Sequence, residues 1–254
     1  MPHLTTPPGT PADAATGAGR LGLGAPGYAH PLLAPVEWAE LTRPGTPLHW
    51  AVLNVTDGPG GRPDPHCSEA SAKLRGPGGD GPRLLGHLAL RDGSRSFGEL
   101  VSDAHRFRDW YGVGGFYLAD APADRSELAS VRRVVETLRG LGEDLRIVLG
   151  HGTHPCEGYA EAADQLVTFS GAWADYRWSQ VAEWTAEYPP ERFCHLVHGV
   201  PRTHLEEAVR IARWQGARTI WFTDRRGAGD RDPWASMPGY WDEIVSRIGP
   251  GVSE

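Results

Sequence analysis

The chain has 254 residues, enough for one large domain or two small ones, and 40% of them are apolar, enough for a sizeable core. A formal net charge of −7 argues against the basic face that a nucleic-acid groove needs, while mild acidity of this size names no partner. No apolar run reaches the length of a membrane span, so neither nucleic acid nor membrane is an expected partner.

Met1 to Gly27 is rich in Pro, Gly, Ala and Thr, lacks the apolar core of a signal peptide, and reads as a disordered leader. Cys67, Cys156 and Cys194 have no metal-like spacing, and an odd number makes a poor disulfide framework. Reduced thiols and a cytoplasmic protein are expected.

Ala29–Pro35 reads as a weak first strand and Val36–Leu41 as a brief helix carrying Trp38. His49–Val55 is a better strand, ending at Asn54 and running into the turn Thr56-Asp57-Gly58-Pro59-Gly60-Gly61. That turn lacks the Lys-Ser/Thr of a P-loop and the spacing of a dinucleotide fingerprint, so no nucleotide cofactor is expected. Gly76–Pro82 reads as a further loop. Arg83–Leu90 is the next strand, followed by the polar segment Arg91-Asp92-Gly93-Ser94-Arg95. Ser96 with Glu99 forms a capping-box pattern ahead of Leu100, Ala104, Phe107 and Tyr111 at helical spacing.

The short apolar run from Gly114 to Ala119 then ends in Asp120 and Ala121-Pro122. Asp124 with Glu127 is a second capping pattern, and Leu128, Val131, Val135 and Leu138 form one apolar helix face. Leu145–Leu149 is a strand ending at Gly150-His151-Gly152-Thr153-His154. Gln165–Phe169 is another, ending at Ser170-Gly171-Ala172-Trp173. The pattern predicts a helix over Tyr176–Tyr188, a strand over Arg192–Val200 and a helix capped by Thr203 and Glu206 and stopped by Gly216. Thr219–Thr223 is the last strand, ending at Asp224, and Pro238–Ile248 closes with a helix.

Eight strand candidates alternating with helices or helix-length connections, in this length, predict a single α/β domain: a (β/α)8 barrel of the TIM type. The expected boundaries are a leader over 1–27, the barrel over 28–249 and a short tail over 250–254.

In such a barrel the residues at the carboxyl ends of the strands line the functional face. Asp120, His151, His198 and Asp224 are therefore the candidate acid–base groups. Asn54, Asp57, Arg91, Asp92, Ser170, Trp173, Trp234 and Tyr240 are the candidate ligand contacts. Each has a structural alternative: Asp120 as a loop cap, His198 as a backbone-bonded strand end, Trp234 and Tyr240 as packing for the last loop. Arg91 and Arg95 have the alternative of solvated loop residues. His195 is expected to be a satisfied core histidine. His151 and His154 lie three apart and could join Asp120 on a metal, but chance spacing is the simpler reading, and no metal or cofactor is expected.

Along the chain come His30-Pro31-Leu32 with Trp38, Leu53-Asn54-Val55 before Gly58-Pro59-Gly60, Gly86-His87, and Asp109-Trp110-Tyr111-Gly112-Val113-Gly114-Gly115-Phe116. Val167-Thr168-Phe169, Thr223-Asp224, Asp232-Pro233-Trp234 and Pro238-Gly239-Tyr240-Trp241 follow. In this order the motifs resemble those of the spherulation-specific family four proteins, the spherulin-like glycosidase-type barrels. The resemblance runs from His30 to Ile248. The resemblance implies an α/β barrel related to enzymes that cleave galactosamine-containing polysaccharides. It also implies Asp-Glu at the end of the Gly115 strand, where this chain has Ala119-Asp120, and Glu after Thr-Phe, where it has Ser170. The family's Asn-Pro-Gly is here Gly150-His151-Gly152, and its Thr and Tyr after the Gly86 strand are Leu90 and Asp92.

Glycoside hydrolysis normally takes two carboxyls flanking the scissile bond. The favoured expectation is therefore a pocket rebuilt for a small, sugar-derived or biosynthetic metabolite. The alternatives are a non-catalytic carbohydrate-binding pseudo-glycosidase and a residual galactosaminidase-type glycosidase. The expected partner is a small-molecule or saccharide ligand.

Overall fold

The structure, a computed structural model, describes residues 20–27, 29–76, 81–227 and 232–248. The expected tail over 250–254 and the leader as far as residue 19 lie outside the described residues. Eight parallel strands form a closed ring in sequence order. They are β1 (Gly22–Ala25), β2 (Leu48–Leu53), β3 (Arg83–Ala89), β4 (Gly115–Ala119), β5 (Arg146–Gly150), β6 (Gln165–Ala172), β7 (Phe193–His198) and β8 (Thr219–Phe222). The single (β/α)8 barrel is thus the observed fold.

The first strand differs from expectation. Residues 31–33 form a turn, and β1 lies upstream, inside the segment read as leader, where it pairs with both β2 and β8. Its sequence Gly-Leu-Gly-Ala has a steric cause. A Cβ on Gly22 would stand 2.1 Å from the His49 ring, and one on Gly24 would stand 2.4 Å from the Trp50 ring. The glycines give those rings the barrel interior, while Leu23 and Ala25, alternating with them, are buried on the other side.

A buried polar network fills the interior near the amino ends of the strands. Trp50 Nε1 donates to Gln165 Oε1 at 2.7 Å, and Gln165 Nε2 donates to Thr219 Oγ1 at 2.8 Å and to the Glu191 carbonyl at 2.9 Å. Three strands are thereby joined across the ring, and every polar atom of the Gln165 side chain has a partner.

The outer layer contains α1 (Pro35–Leu41), α2 (Pro65–Arg75), α3 (Phe97–Tyr111), α4 (Leu128–Arg139), the single turns α5 (Tyr159–Ala162) and α6 (Trp173–Tyr176), α7 (Leu205–Trp214) and α8 (Trp241–Ile248). In α3, Leu100, Ala104, Phe107 and Tyr111 are the buried face, as their spacing predicts. α2 was not read from the sequence. It begins with Asp64 accepting from the amides of His66 and Cys67 and with Pro65 in the first turn. The helix expected over 176–188 is instead the single turn α6, a loop and a 3₁₀ turn over Glu183–Glu187. None of the three capping pairs forms its side-chain bond. Ser96 and Asp124 make no capping bond, and Thr203 lies within a 3₁₀ turn that leads into α7. Among the described residues no helix is long and apolar enough to cross a membrane.

Candidate active site

At the carboxyl ends of the strands, Asp57, Arg91, Asp92 and Asp120 all have left-handed backbone, with φ between 49° and 53°. Asp tolerates this region better than most side chains. It lets the chain turn sharply out of β2, β3 and β4 and present side chains over the barrel mouth. Backbone bonds then lace the strand ends together. Asp92 N–H donates to the Asp120 carbonyl at 3.0 Å, Ala121 N–H to Gly150 at 3.1 Å, and Gly152 N–H to Val167 at 3.0 Å. On β6 a bulge between Val167 and Phe169 shifts the register, so that Ser170 pairs with Leu196 at the rim.

These turns enclose a cavity of about 490 Å3. Asp120 stands at its rim with Asp92, Asn54, His151, Ser170 and Trp234. Its deeper wall includes His87 and Tyr117, which are register partners on β3 and β4 and stack with ring centroids 6.3 Å apart. Burial pushes the His87 imidazole below its usual range, with Asp57 and Asp120 pulling partly back. Burial also raises the Tyr117 phenol, so it remains a hydrogen-bond donor at neutral pH.

His151 approaches the Ala121 carbonyl through Nδ1 at 3.1 Å and lies edge-on to Tyr159 at 4.7 Å. A carbonyl only accepts, so Nδ1 carries the proton and Nε2 is the acceptor; Nε2 is buried and has no hydrogen-bond partner. Burial lowers this imidazole to about 4, and it is neutral across physiological pH.

Of the residues singled out from the sequence, Asp120, His151, Asn54, Asp92, Ser170 and Trp234 come together in the cavity. The other six are placed elsewhere. His198 stands behind Trp234, edge-on at 5.7 Å, and burial lowers its imidazole against the opposing pull of Asp175. Asp224 accepts the Gly239 amide at 2.8 Å and so pins the closing loop. Tyr240 is buried and donates to the Val200 carbonyl at 3.3 Å. Trp173 is buried against Tyr176 and His204. Asp57 and Arg91 pair with each other at 2.9 Å outside the lining. His195 is buried in the core, bonded to the Tyr176 hydroxyl at 2.8 Å.

His87 and Tyr117 are the site residues that inspection of strand ends passed over, because both lie inside strands. Period-two alternation in β4, with Tyr117 two residues before Ala119, is the signal that points inward. Asp232 also lines the cavity and accepts the Trp234 amide at 2.9 Å.

His151, His154 and Asp120 do not converge. Among the described residues the one grouping of three metal-ligating side chains is His30, Asp64 and Cys67. There Leu32 N–H donates to His30 Nδ1, which places the proton on Nε2, facing Asp64 Oδ1 at 3.3 Å and Cys67 Sγ at 3.4 Å. That proton already occupies the centre of the cluster. Cys67, Cys156 and Cys194 are all free thiols.

A closed ring of eight parallel strands with a polar, carboxylate-bearing cavity at its carboxyl mouth is a (β/α)8 barrel with its candidate site where such barrels carry theirs. The chain belongs to spherulation-specific family 4, whose profile matches residues 24–248. Among solved structures it is similar to Aspergillus clavatus Sph3, whose crystal structure holds GalNAc. The TM-score is 0.76 and the identity 24%, covering 91% of this chain and 98% of that one. An FMN-binding β-glucuronidase from Facaelibacterium prausnitzii L2-6 matches with TM-score 0.53 and 9% identity, over 94% of this chain and 45% of that one. Both likenesses concern the fold. A comparison with curated proteins finds no match.

Proposed function

We propose that this chain is a hydrolase-type enzyme acting in the cytoplasm on a small, sugar-derived metabolite, with Asp120 and His151 as its acid–base pair. The observation that carries this reading is that Asp120 and His151 line one cavity, with the His151 ring oriented by its Nδ1 bond to the Ala121 carbonyl at 3.1 Å. An imidazole lowered to about 4 has the proton affinity of an ordinary carboxylate. It can therefore take the base role that a second carboxyl fills in a glycosidase, without adding charge to the site. Asp120, on the neighbouring strand and linked to His151 through Ala121, supplies the carboxyl. Tyr117 and Asn54 would orient the ligand, and Trp234 would cover an apolar sugar face. A volume of about 490 Å3 falls within the ~300–1,000 Å3 of small-molecule sites.

A second reading is a non-catalytic saccharide-binding barrel. Ala119 and Ser170 support it, since both line the cavity where the family resemblance places carboxyls.

The test is turnover of small aryl and alkyl glycosides, with saccharide binding followed in parallel by tryptophan fluorescence. The enzymatic reading expects turnover that falls at least ~100-fold in both Asp120→Asn and His151→Gln while folding is unchanged. Full activity in both variants overturns the assignment. Binding without turnover in the natural protein, with cleavage gained on Ala119→Asp with Ser170→Glu, establishes the binding barrel instead.

A further inference from the structure

We infer that the amino-terminal mouth of the barrel, at the end opposite the cavity, binds a small oxyanion, a phosphate or a phosphate-bearing molecule, gripped by Arg146 and Arg218 with Arg83 at its edge. The inference is independent of the function proposed above.

Arg83 and Arg146 open β3 and β5. Each precedes by four residues a member of the cavity lining, His87 and Gly150, so strand alternation turns both toward the barrel axis. β4 runs between them and is entered through Gly114 and Gly115, so its first positions put no side chain in the way. The Arg83 chain lies along this gap, since a Cβ on Gly114 would stand 3.5 Å from its Cδ. Arg218 directly precedes β8, and its charge and that of Arg146 both bear on His49.

Among the described residues these charges are under-compensated. Arg146 is partly buried, its Nε is buried without a hydrogen-bond partner, and no carboxylate pairs with its guanidinium. Arg218 gives Nη1 to Glu191 at 2.8 Å, but its Nε too is buried and unpartnered. Arg83 donates to the Asp144 carbonyl at 3.1 Å. Asp164, which also acts on Arg146, is taken by Arg139 at 3.1 Å and by the Ile147 amide at 2.7 Å. Glu191 is left as the one carboxylate paired with the three guanidinium groups. A second observation comes from His49, held to the Thr219 hydroxyl at 2.8 Å. Burial, then the charges of Arg146 and Arg218, lower its imidazole to about 4, with Glu191 opposing. The mouth is therefore net positive within a chain of formal charge −7. A buried guanidinium N–H without an acceptor is costly. A tetrahedral oxyanion supplies several acceptors at once, in the geometry the planar arginine fork matches.

The experiment titrates the whole chain at pH 7 with inorganic phosphate, sulfate and glycerol 3-phosphate, at constant ionic strength against a chloride baseline, and follows heat and melting temperature. Phosphate is expected to bind saturably with a Kd in the millimolar range or below. At ten times that Kd it should raise the melting temperature by roughly 3–5 °C. Arg146→Met keeps the aliphatic stem and removes the charge. It should weaken phosphate at least ~10-fold and melt no lower than the natural protein in chloride, because an unpaired buried charge leaves with it. Arg146→Lys, which restores the charge without the fork, should weaken phosphate only several-fold. Arg125→Gln, which removes an exposed guanidinium beyond the carboxyl end of β4, should leave binding unchanged. Phosphate bound as tightly by Arg146→Met as by the natural protein overturns the inference. So does a melting temperature that phosphate and sulfate leave at its chloride value. Glycerol 3-phosphate binding more tightly than phosphate assigns the mouth to an esterified phosphate, and the reverse order to the free ion; either order upholds the site.

Discussion

The amide of Asp92 donates to the carbonyl of Asp120 at 3.0 Å, and both residues hold left-handed backbone, with φ of 52° and 49°. Two carboxylates from adjacent strands are thus positioned by main-chain geometry, independently of any bond their side chains make. Changing the carboxyl need not disturb the turn, provided the new residue accepts that backbone.

Asp120→Asn is accordingly expected to unfold within about 0.5 kcal/mol of the natural protein, because Asn shares the tolerance for positive φ. Asp120→Val is expected to cost about 1–3 kcal/mol, since a β-branched side chain is strained there. Equilibrium denaturation of the two variants checks this. Equal stabilities would show that the turn relaxes.

Stability should depend on pH through buried histidines. Burial lowers His49 and His151 to about 4 and His195 to about 3, each below its unfolded value near 6.5. Between those limits the unfolded chain binds more protons than the folded one. The stabilisation is therefore complete above pH 6.5 and is lost as the pH falls toward 4. A loss on the order of a few kcal/mol should lower the melting temperature by roughly 5–10 °C between pH 7 and pH 5. A melting temperature that stays flat over this range would contradict the burial of these rings.

The interior network gives a third test. Gln165→Leu leaves the Trp50 indole N–H without its acceptor and removes the donor to Thr219. An expected cost of about 2–3 kcal/mol follows from stranding one buried donor. Thermal unfolding measures it, and a neutral effect would mean that water enters the ring at this level.

Gly150→Ala should alter the site while sparing the barrel. Its Cβ would press on the Tyr117 hydroxyl and ring at 2.7–2.9 Å. Ligand affinity is expected to fall several-fold with near-native stability, read by titration alongside melting.

Most of the barrel was legible in the sequence because β2 to β8 are apolar runs that end in turn-forming polar residues. The first strand was not, since Gly22 and Gly24 serve the rings of His49 and Trp50, and neither ring can be assigned a neighbour from local sequence. The helix over 176–188 misled because Pro189-Pro190 looks like a stop signal, whereas Tyr176 packs inward on His195 and Phe222 and ends its own turn. Asp120, Asp92 and His151 were legible as strand ends. His87 and Tyr117 were not, because an interior polar residue is equally compatible with a packed core until the cavity above it is seen. Asp224 and Tyr240 carry family-like motifs, yet they hold the closing loop rather than the cavity.

β1 is bonded on one side to β2, about twenty-five residues downstream, and on the other to β8, nearly two hundred residues downstream. During synthesis, one edge of this short glycine-bearing strand must wait unpaired until residues 219–222 have left the ribosome. Open sheet edges recruit foreign strands. Its four-residue length and lack of inward side chains make β1 a poor template for such pairing, so the seam of the ring falls where an exposed edge is least hazardous.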